Sequence, residues 1–421
     1  MKKQWKWLSG MVLTAVLVTG CGDRPEDIRG VELLTAASDV YRDGADNLGE
    51  EAVMDESVRE FSYKLMTEAS ARTEWENPLL SPVSAYMALS MAAAGAREET
   101  KEELDQLLGE EHETLAGRCM AALLSREGVE LELANSAWLD QRLAADADWL
   151  TEIQEVYRGE VYSADLSSPQ AMKAVNAWAE GHTRGLVKDF LTQPLKEEAR
   201  LALLNALYLE ADWQYRFEGY ATREQTWYRE DGGEKQVQTM RKGLTYLAYV
   251  ADTDMDGVIL PLQEEKLVFL AIRPRAGQTV RELCSRLTPG QIADLLEGQE
   301  EKLMNLSLPR FKVICDQNLN DLLGDLGVER AFDPGRADFS GLGTDEAGAP
   351  LYISLVRQKA VMELSEDGVR AGAVTIVEMC AGSGMPAEEP VEMYLDHPFV
   401  YMILDLETQV PLFVGIMDDP G

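Results

Sequence analysis

The segment SEDGVRAGAVTIVEMCAGSGMPAEE, residues 365–389, decides how the rest of the chain is interpreted. Its first half alternates small or apolar residues with others, which is typical of a β-strand. Its second half contains Gly, Ser, Pro and acidic residues, which are typical of an exposed loop. A segment able to form a strand therefore stands where the composition predicts a loop.

Alternation divides the strand-like half into two sets of side chains. The first set is small or apolar throughout and consists of Val369, Ala371, Ala373, Thr375, Val377 and Met379. The second set holds both charged residues and consists of Arg370, Gly372, Val374, Ile376 and Glu378. Because an unpaired buried charge is very unfavourable, the pattern predicts a strand that buries the first set in a packed core and exposes the second.

Composition and charge exclude several classes of function. The chain has 421 residues, 46% of them hydrophobic, which is enough for a large core. Its net charge of −35 argues against nucleic acids and anionic membrane surfaces as partners. The sequence has three widely separated histidines and lacks the motifs HExxH, CxxC and GxSxG. We therefore expect no metal, no cofactor and no enzymatic centre.

The N-terminus, MKKQWKWLSGMVLTAVLVTGC, combines lysines with an apolar run too short to span a membrane comfortably. It resembles a bacterial lipoprotein signal, which implies removal of residues 1–20 and lipidation of Cys21. An ordinary signal peptide with a chance cysteine is the alternative. We expect an acidic tether over 21–54, with a short helix at 31–41. The protein is thus predicted to be extracellular and held to the bacterial membrane only by its lipid.

Residues 55–421 are predicted to form one large α+β unit, with helices mostly first and strands mostly later. The uncharged stretch 77–96 indicates a buried helix, with the Ser81 hydroxyl available to cap it and Pro82 in its first turn. The segment AREETKEELDQLL indicates an amphipathic surface helix. Apolar, β-rich runs predict strands at 131–139, 201–213, 257–262, 266–274, 400–406 and 411–417.

Five segments, in order along the chain, resemble the serpin family of protease inhibitors. They are NPLLSPVSAYMALSMAAAGAREETKEEL, LLNALYLEADWQYRF, LPRFKVICDQNLNDLLGDLGVERAFDPGRADFSGL, KAVMELSEDGVRAGAVT and DHPFVYMILDLETQVPLFVGIMDDP. The resemblance implies a monomer with about nine helices, three β-sheets and an exposed reactive-centre loop. It also implies that the protein is a suicide substrate for a target serine protease. The protease cleaves this loop, the loop then enters the main sheet, and the acyl-enzyme is trapped.

The resemblance assigns a hinge to the start of the loop, comprising Glu366, Asp367, Gly368, Val369, Arg370, Ala371, Gly372, Ala373, Val374 and Thr375. The family usually has Thr or Ser where Val369 stands, Glu where Arg370 stands and Ala where Gly372 stands. Glu366 matches the hinge glutamate, and Arg310 occupies the position of its usual lysine partner. Trp213 matches the tryptophan under the point of insertion.

A polar cluster beneath the opening strands is matched by Ser81, Ser84 and Asn205. Gln358 replaces the histidine that the family carries there, so the side chain can form hydrogen bonds but cannot titrate.

The usual loop length places the reactive bond between Gly382 and Ser383, with Met379, Cys380, Ala381 and Met385 as alternatives in another register. No Lys or Arg occurs from 371 to 421 and no aromatic residue from 371 to 393, which argues against trypsin-like targets. We therefore expect an elastase-like or subtilisin-like serine protease. The acidic residues Glu388, Glu389 and Glu392 favour a basic one.

Three other interpretations remain open from the sequence. One is a non-inhibitory serpin that is cleaved, or binds a partner, without trapping. A solute-binding lipoprotein would show two α/β lobes, which the strand-rich second half argues against. A secreted hydrolase would need a nucleophile motif, which the sequence lacks.

Overall fold

The computed structural model describes residues 24–37, 56–124, 129–263, 266–345, 348, 351–369 and 389–421. The signal peptide and Cys21 lie outside these residues. The same holds for the loop from Arg370 to Met385, which contains the expected reactive bond and its alternatives.

Nine α-helices occur among the described residues, in agreement with the expected fold. They are α1 (Glu56–Ala71), α2 (Pro82–Gly95), α3 (Glu98–Leu108), α4 (His112–Leu124), α5 (Ala147–Glu155), α6 (Pro169–His182), α7 (Val280–Cys284), α8 (Pro289–Glu297) and α9 (Asn320–Asp325).

The main sheet has seven strands and mixes parallel with antiparallel pairs. Its spatial order is β1 (Val31–Thr35), β5 (Glu160–Ala164), β3 (Glu130–Asp140), β6 (Leu201–Asp212), β15 (Gly368–Val369), β14 (Ile353–Leu364) and β12 (Phe311–Asn318). The two-residue strand β15 lies between β6 and β14, which is the feature that positions the candidate site.

A second sheet has nine strands, and a small third sheet has two. The order of the second is β16 (Val391–Tyr394), β11 (Glu300–Pro309), β8 (Glu234–Ala251), β9 (Met255–Pro261), β10 (Leu267–Pro274), β17 (Phe399–Asp405), β18 (Pro411–Met417) and β2 (Leu79–Leu80), with β7 (Arg223–Tyr228) also paired to β8. The third pairs β4 (Leu143–Ala145) with β13 (Gly343–Asp345). The predicted α+β fold with three sheets is confirmed, and each predicted strand begins and ends within two residues of the expected bounds.

Helix α2 is buried almost all round, as its uncharged sequence predicts. It packs against β6, β3 and β18, so it supports both large sheets. Among the described residues, none of the helices has the length and apolar character that crossing a membrane requires. The stretch 77–96 is therefore a core element of the fold.

The N-terminal segment differs from its prediction. Residues 31–35 form strand β1, which pairs antiparallel with β5 at the edge of the main sheet, so the helix expected at 31–41 is wrong over this range. Ile28 and Val31 are buried against the α6 side of the sheet, so 24–37 is not a solvated tether. An unpaired edge strand offers backbone hydrogen bonds to any extended segment, and local propensity cannot reveal that partner.

Helix α6 covers the outer face of the main sheet, and a histidine at its end connects it to two strands. His182 Nδ1 lies 2.8 Å from Glu132 Oε1 of β3, and its Nε2 lies 3.4 Å from Glu160 Oε2 of β5. Burial by itself lowers the pKa of the imidazole, but hydrogen bonds to the two carboxylates raise it to about 9. At neutral pH the ring is therefore a cation held between two strands and one helix.

We predict that His182→Gln lowers the stability of the protein most at or below neutral pH. The pKa of His182 is raised above the ordinary value of about 6.5, so its contribution is complete below that value and disappears as the pH rises through about 9. The Tm of the variant should fall by about 2 °C or more at pH 6 and converge with the wild type at pH 10.

The matched control is His397→Gln, since that side chain is 65% exposed. A difference between wild type and His182→Gln that stays constant from pH 6 to pH 10 would contradict the prediction.

Candidate functional site

Strands β6 and β14 pair directly over only part of their length. Their parallel pairing joins Leu201–Asn205 to Ile353–Gln358 and ends there among the described residues. At the far end β15 pairs antiparallel with both, with Val369 opposite Ala211 on one side and Leu364 on the other. The main sheet thus has a seam between β6 and β14, whose far end is already filled by the hinge residues Gly368 and Val369.

Gly368 fits this place because it has no side chain. A Cβ at this position would collide with the carbonyl oxygen of Ala211 and crowd the backbone of Asp212. Val369, the next residue, is buried in the core on the inner face of the sheet. The first member of the set expected to be buried therefore lies on the inner face.

The turn before β15 is held by the segment that follows β6. The Trp213 indole Nε1 donates a hydrogen bond of 2.8 Å to the Ser365 carbonyl, and its backbone N–H donates one of 2.9 Å to the Asp367 carbonyl. The Phe217 N–H donates to the Glu366 carbonyl at 3.0 Å. Trp213 thus contacts the turn before β15 through both its indole and its backbone, and these hydrogen bonds hold the shape of the turn.

Two arginines add charged contacts to this turn. Arg310 Nε lies 3.4 Å from Glu366 Oε2, while the Thr222 hydroxyl donates to Glu366 Oε1 at 2.7 Å. Arg310 is about half exposed, so solvent screening weakens its ion pair. Arg216 joins Asp367, at 3.1 Å, to Asp212 at the end of β6. The sequence analysis missed Arg216 because neither carboxylate partner can be inferred without the fold.

Gln358 connects the main sheet to the start of α2. Its Nε2 donates to the Ser81 carbonyl and its Oε1 accepts from the Ser81 N–H, both at 2.8 Å. The Ser81 hydroxyl donates to Ser84 Oγ at 2.8 Å instead of capping the helix, so that expectation is wrong. The hydroxyl is turned into the polar cluster, where Gln358 fixes the serine backbone. Pro82 does stand in the first turn of α2.

Asn205 has a partner that the sequence analysis did not identify. Its Nδ2 donates to Asn135 Oδ1 of β3 at 2.6 Å, and both residues are buried. Among the described residues, Asn205 Oδ1 and Asn135 Nδ2 have no hydrogen-bond partner. Asn135, Asn205 and Gln358 stand opposite one another on three adjacent strands, so a polar row crosses the seam where direct pairing ends.

The comparisons with known proteins point to one family. A sequence profile described as Serpin (serine protease inhibitor) matches residues 56–420. An uncharacterized serpin-like protein of Thermococcus kodakarensis is 30% identical over 88% of this chain and 87% of its own length. Alpha-1-antiproteinase S of Cavia porcellus is 27% identical over 86% of this chain and 90% of its own length.

Among solved structures, the crystal structure of a thermophilic serpin, Tengpin, in the native state superposes with a TM-score of 0.83. It is 28% identical in sequence, and the match covers 93% of this chain and all of that one.

We predict that Gly368→Ala displaces β15 from the seam. The new methyl group would overlap the Ala211 carbonyl, and relief of such an overlap typically costs about 1–3 kcal/mol. Amide exchange in peptides covering 365–369 should become about tenfold faster. Gly181→Ala in α6, which has open space around its Cβ, is the control and should leave these peptides unchanged. Unchanged protection in Gly368→Ala would show that β15 tolerates a side chain there.

Proposed function

The chain belongs to the serpin family, whose members are generally inhibitors of serine proteases, and we propose that this protein traps its protease covalently. In this mechanism the protease cleaves the segment after Val369 and forms an acyl-enzyme. The segment then continues β15 into the seam and carries the protease with it. The observation that carries the proposal is the placement of β15, antiparallel between β6 and β14.

The register of β15 supports insertion of the residues that follow it. Continued antiparallel pairing would bring Ala371 between Leu209 and Met362, both of which are buried on the inner face. Ala373 and Thr375 would follow on the same face, and Thr375 would arrive opposite Asn205 and Gln358. The small and apolar set predicted from alternation is therefore the set that would enter the core.

The same register would put the Arg370 side chain on the outer face of the sheet. It would lie opposite Glu210 of β6 and Glu363 of β14, which are partly exposed on the outer face. Two carboxylates facing each other across a closing seam favour a cation between them. The arginine that departs from the family pattern therefore matches the acidic residues of this chain.

We propose that the target is an elastase-like or subtilisin-like protease. The absence of Lys and Arg after Arg370 leaves a trypsin-like pocket without a basic side chain to bind. The proposed reactive bond is Gly382–Ser383, and Met379, Cys380, Ala381 and Met385 are the alternatives.

We also propose that Cys21 carries a lipid that anchors the protein outside the cell. Partitioning of the expressed protein into detergent, lost in Cys21→Ser, tests the anchor.

The main test mixes the secreted chain, from residue 22 onward, with neutrophil elastase, subtilisin and trypsin separately. Elastase or subtilisin should give a band at the summed mass that survives SDS, and the mass of the released C-terminal peptide should identify the bond. Trypsin should be trapped far more slowly. Clean cleavage without the band would favour a non-inhibitory serpin, and trypsin trapped as fast as elastase would contradict the target class.

A pair of neighbouring substitutions tests the insertion step itself. Arg370→Gln and Ala371→Glu each lower the net charge by one, but only the second would place a carboxylate between Leu209 and Met362. We expect the protease to cleave Ala371→Glu as a substrate, because burying an unpaired charge slows insertion. The number of inhibitor molecules consumed per protease molecule should therefore rise about tenfold or more. Arg370→Gln should change this number by about twofold at most. Equal effects of the two variants would mean that insertion does not distinguish side chains on the inner face of the sheet from those on the outer face.

A further inference from the structure

Strand β8 contains a bulge beside the end of the reactive-loop segment. Lys242 pairs with Leu306 of β11 and Thr245 pairs with Met304, so Gly243 and Leu244 together face Asn305. The Asn305 side chain bridges the bulge, with Oδ1 accepting from the Leu244 N–H at 3.1 Å and Nδ2 donating to Glu392 of β16 at 2.8 Å. The bulge is therefore fixed to the strand at which the loop segment ends.

Leu244 is an unusual residue for its position. Its φ is +48°, in the left-handed region that disfavours a large side chain, and its side chain is 55% exposed. A leucine there carries backbone strain of about 1 kcal/mol or more without the benefit of full burial. Backbone strain of this kind is found frequently at binding surfaces.

Three tyrosines are exposed on this strand and on the segment 213–222 that contacts it. Tyr246 follows on β8 and is 55% exposed. Tyr220 lies in the short 3-10 helix 219–221 that packs against β8, and it is 85% exposed. Tyr215 precedes Arg216, whose carbonyl accepts a hydrogen bond from Lys242 of β8. We name Tyr215, Tyr220, Leu244 and Tyr246 the aromatic patch.

The elements that carry the aromatic patch also hold the two anchors of the segment 370–388. On one side, residues 213–222 hold the turn before β15 through Trp213, Arg216 and Thr222. On the other side, β8 is joined through β11 to β16, which receives the chain after the segment. A protein that grips this segment is therefore brought over the patch.

We propose that the aromatic patch is a second contact surface for the protease bound at the reactive loop, which rests on the proposed function. The partner is a protease with an uncharged, partly apolar surface beside its cleft. Arg216 next to the patch is engaged by Asp212 and Asp367, and Lys242 is largely buried with its amine over the Phe217 ring. The patch itself is uncharged on a chain with a net charge of −35, and exposed tyrosines are favoured at the centres of protein interfaces.

The test separates docking from trapping by using protease whose catalytic serine is replaced by alanine. We would measure the Kd of inactive elastase and inactive subtilisin for wild type, Leu244→Asn, Tyr246→Thr and the double variant. Asn tolerates a positive φ, so Leu244→Asn should keep or raise the Tm. Ile314→Thr on β12 is the control, because it removes a similarly exposed apolar side chain outside the patch.

The proposal predicts that the double variant weakens the Kd of at least one of the two proteases about tenfold, while Ile314→Thr stays within about twofold. The number of inhibitors consumed per active protease should not change, because the patch is outside the seam. If the Kd is unchanged for both proteases and trapping is intact, the proposal of a second contact surface is overturned while the proposed function stands. If the double variant binds the inactive protease more weakly but the wild-type protein does not trap active protease, the result would support the patch and contradict the proposed function. Sedimentation of the free protein as a dimer that Leu244→Asn dissociates would assign the patch to self-association and overturn the proposal.

Discussion

Incomplete pairing between β6 and β14 is the constraint on which the other features of the site depend. The two strands share backbone hydrogen bonds at one end, through Leu201–Asn205 and Ile353–Gln358. Beyond that end, in the part of the chain that the structure describes, only the two residues of β15 bridge them. A segment that continued β15 would pair with the backbone of both strands, which is the strand addition on which the proposed function rests.

The residues around the seam control how it is held. At the hinge, Gly368 allows close approach to β6, and Trp213 and Arg216 hold the turn in the geometry that an extended β15 would need. At the other end, Gln358 is satisfied by Ser81, but Asn135 Nδ2 and Asn205 Oδ1 have no hydrogen-bond partner among the described residues. The hinge end of the seam is therefore held by several hydrogen bonds, while the end at the polar row keeps two buried polar groups without partners among the described residues.

The outer face of the main sheet carries a separate set of contacts. Helix α6 and the N-terminal segment cover β1, β5 and β3, and His182 joins the helix to two of these strands through the partly exposed carboxylates of Glu132 and Glu160. This layer lies on the β6 side of the seam. Strands β14 and β12 form the other side, so the His182 contacts lie within one half of the sheet.

The sequence alone determined the α+β class, the buried helix α2, the long strands and the alternation of the loop, because each depends on periodicity within a few neighbouring residues. It did not determine that 31–35 pairs as a strand, that the Ser81 hydroxyl binds Ser84 instead of capping its helix, or that Asn205 binds Asn135. The partners are distant along the chain: Gln358, which holds the Ser81 backbone, is 277 positions away, and Asp367 is 151 positions from Arg216. Only the tertiary structure decides such contacts, since the register of a sheet is set by all its strands together.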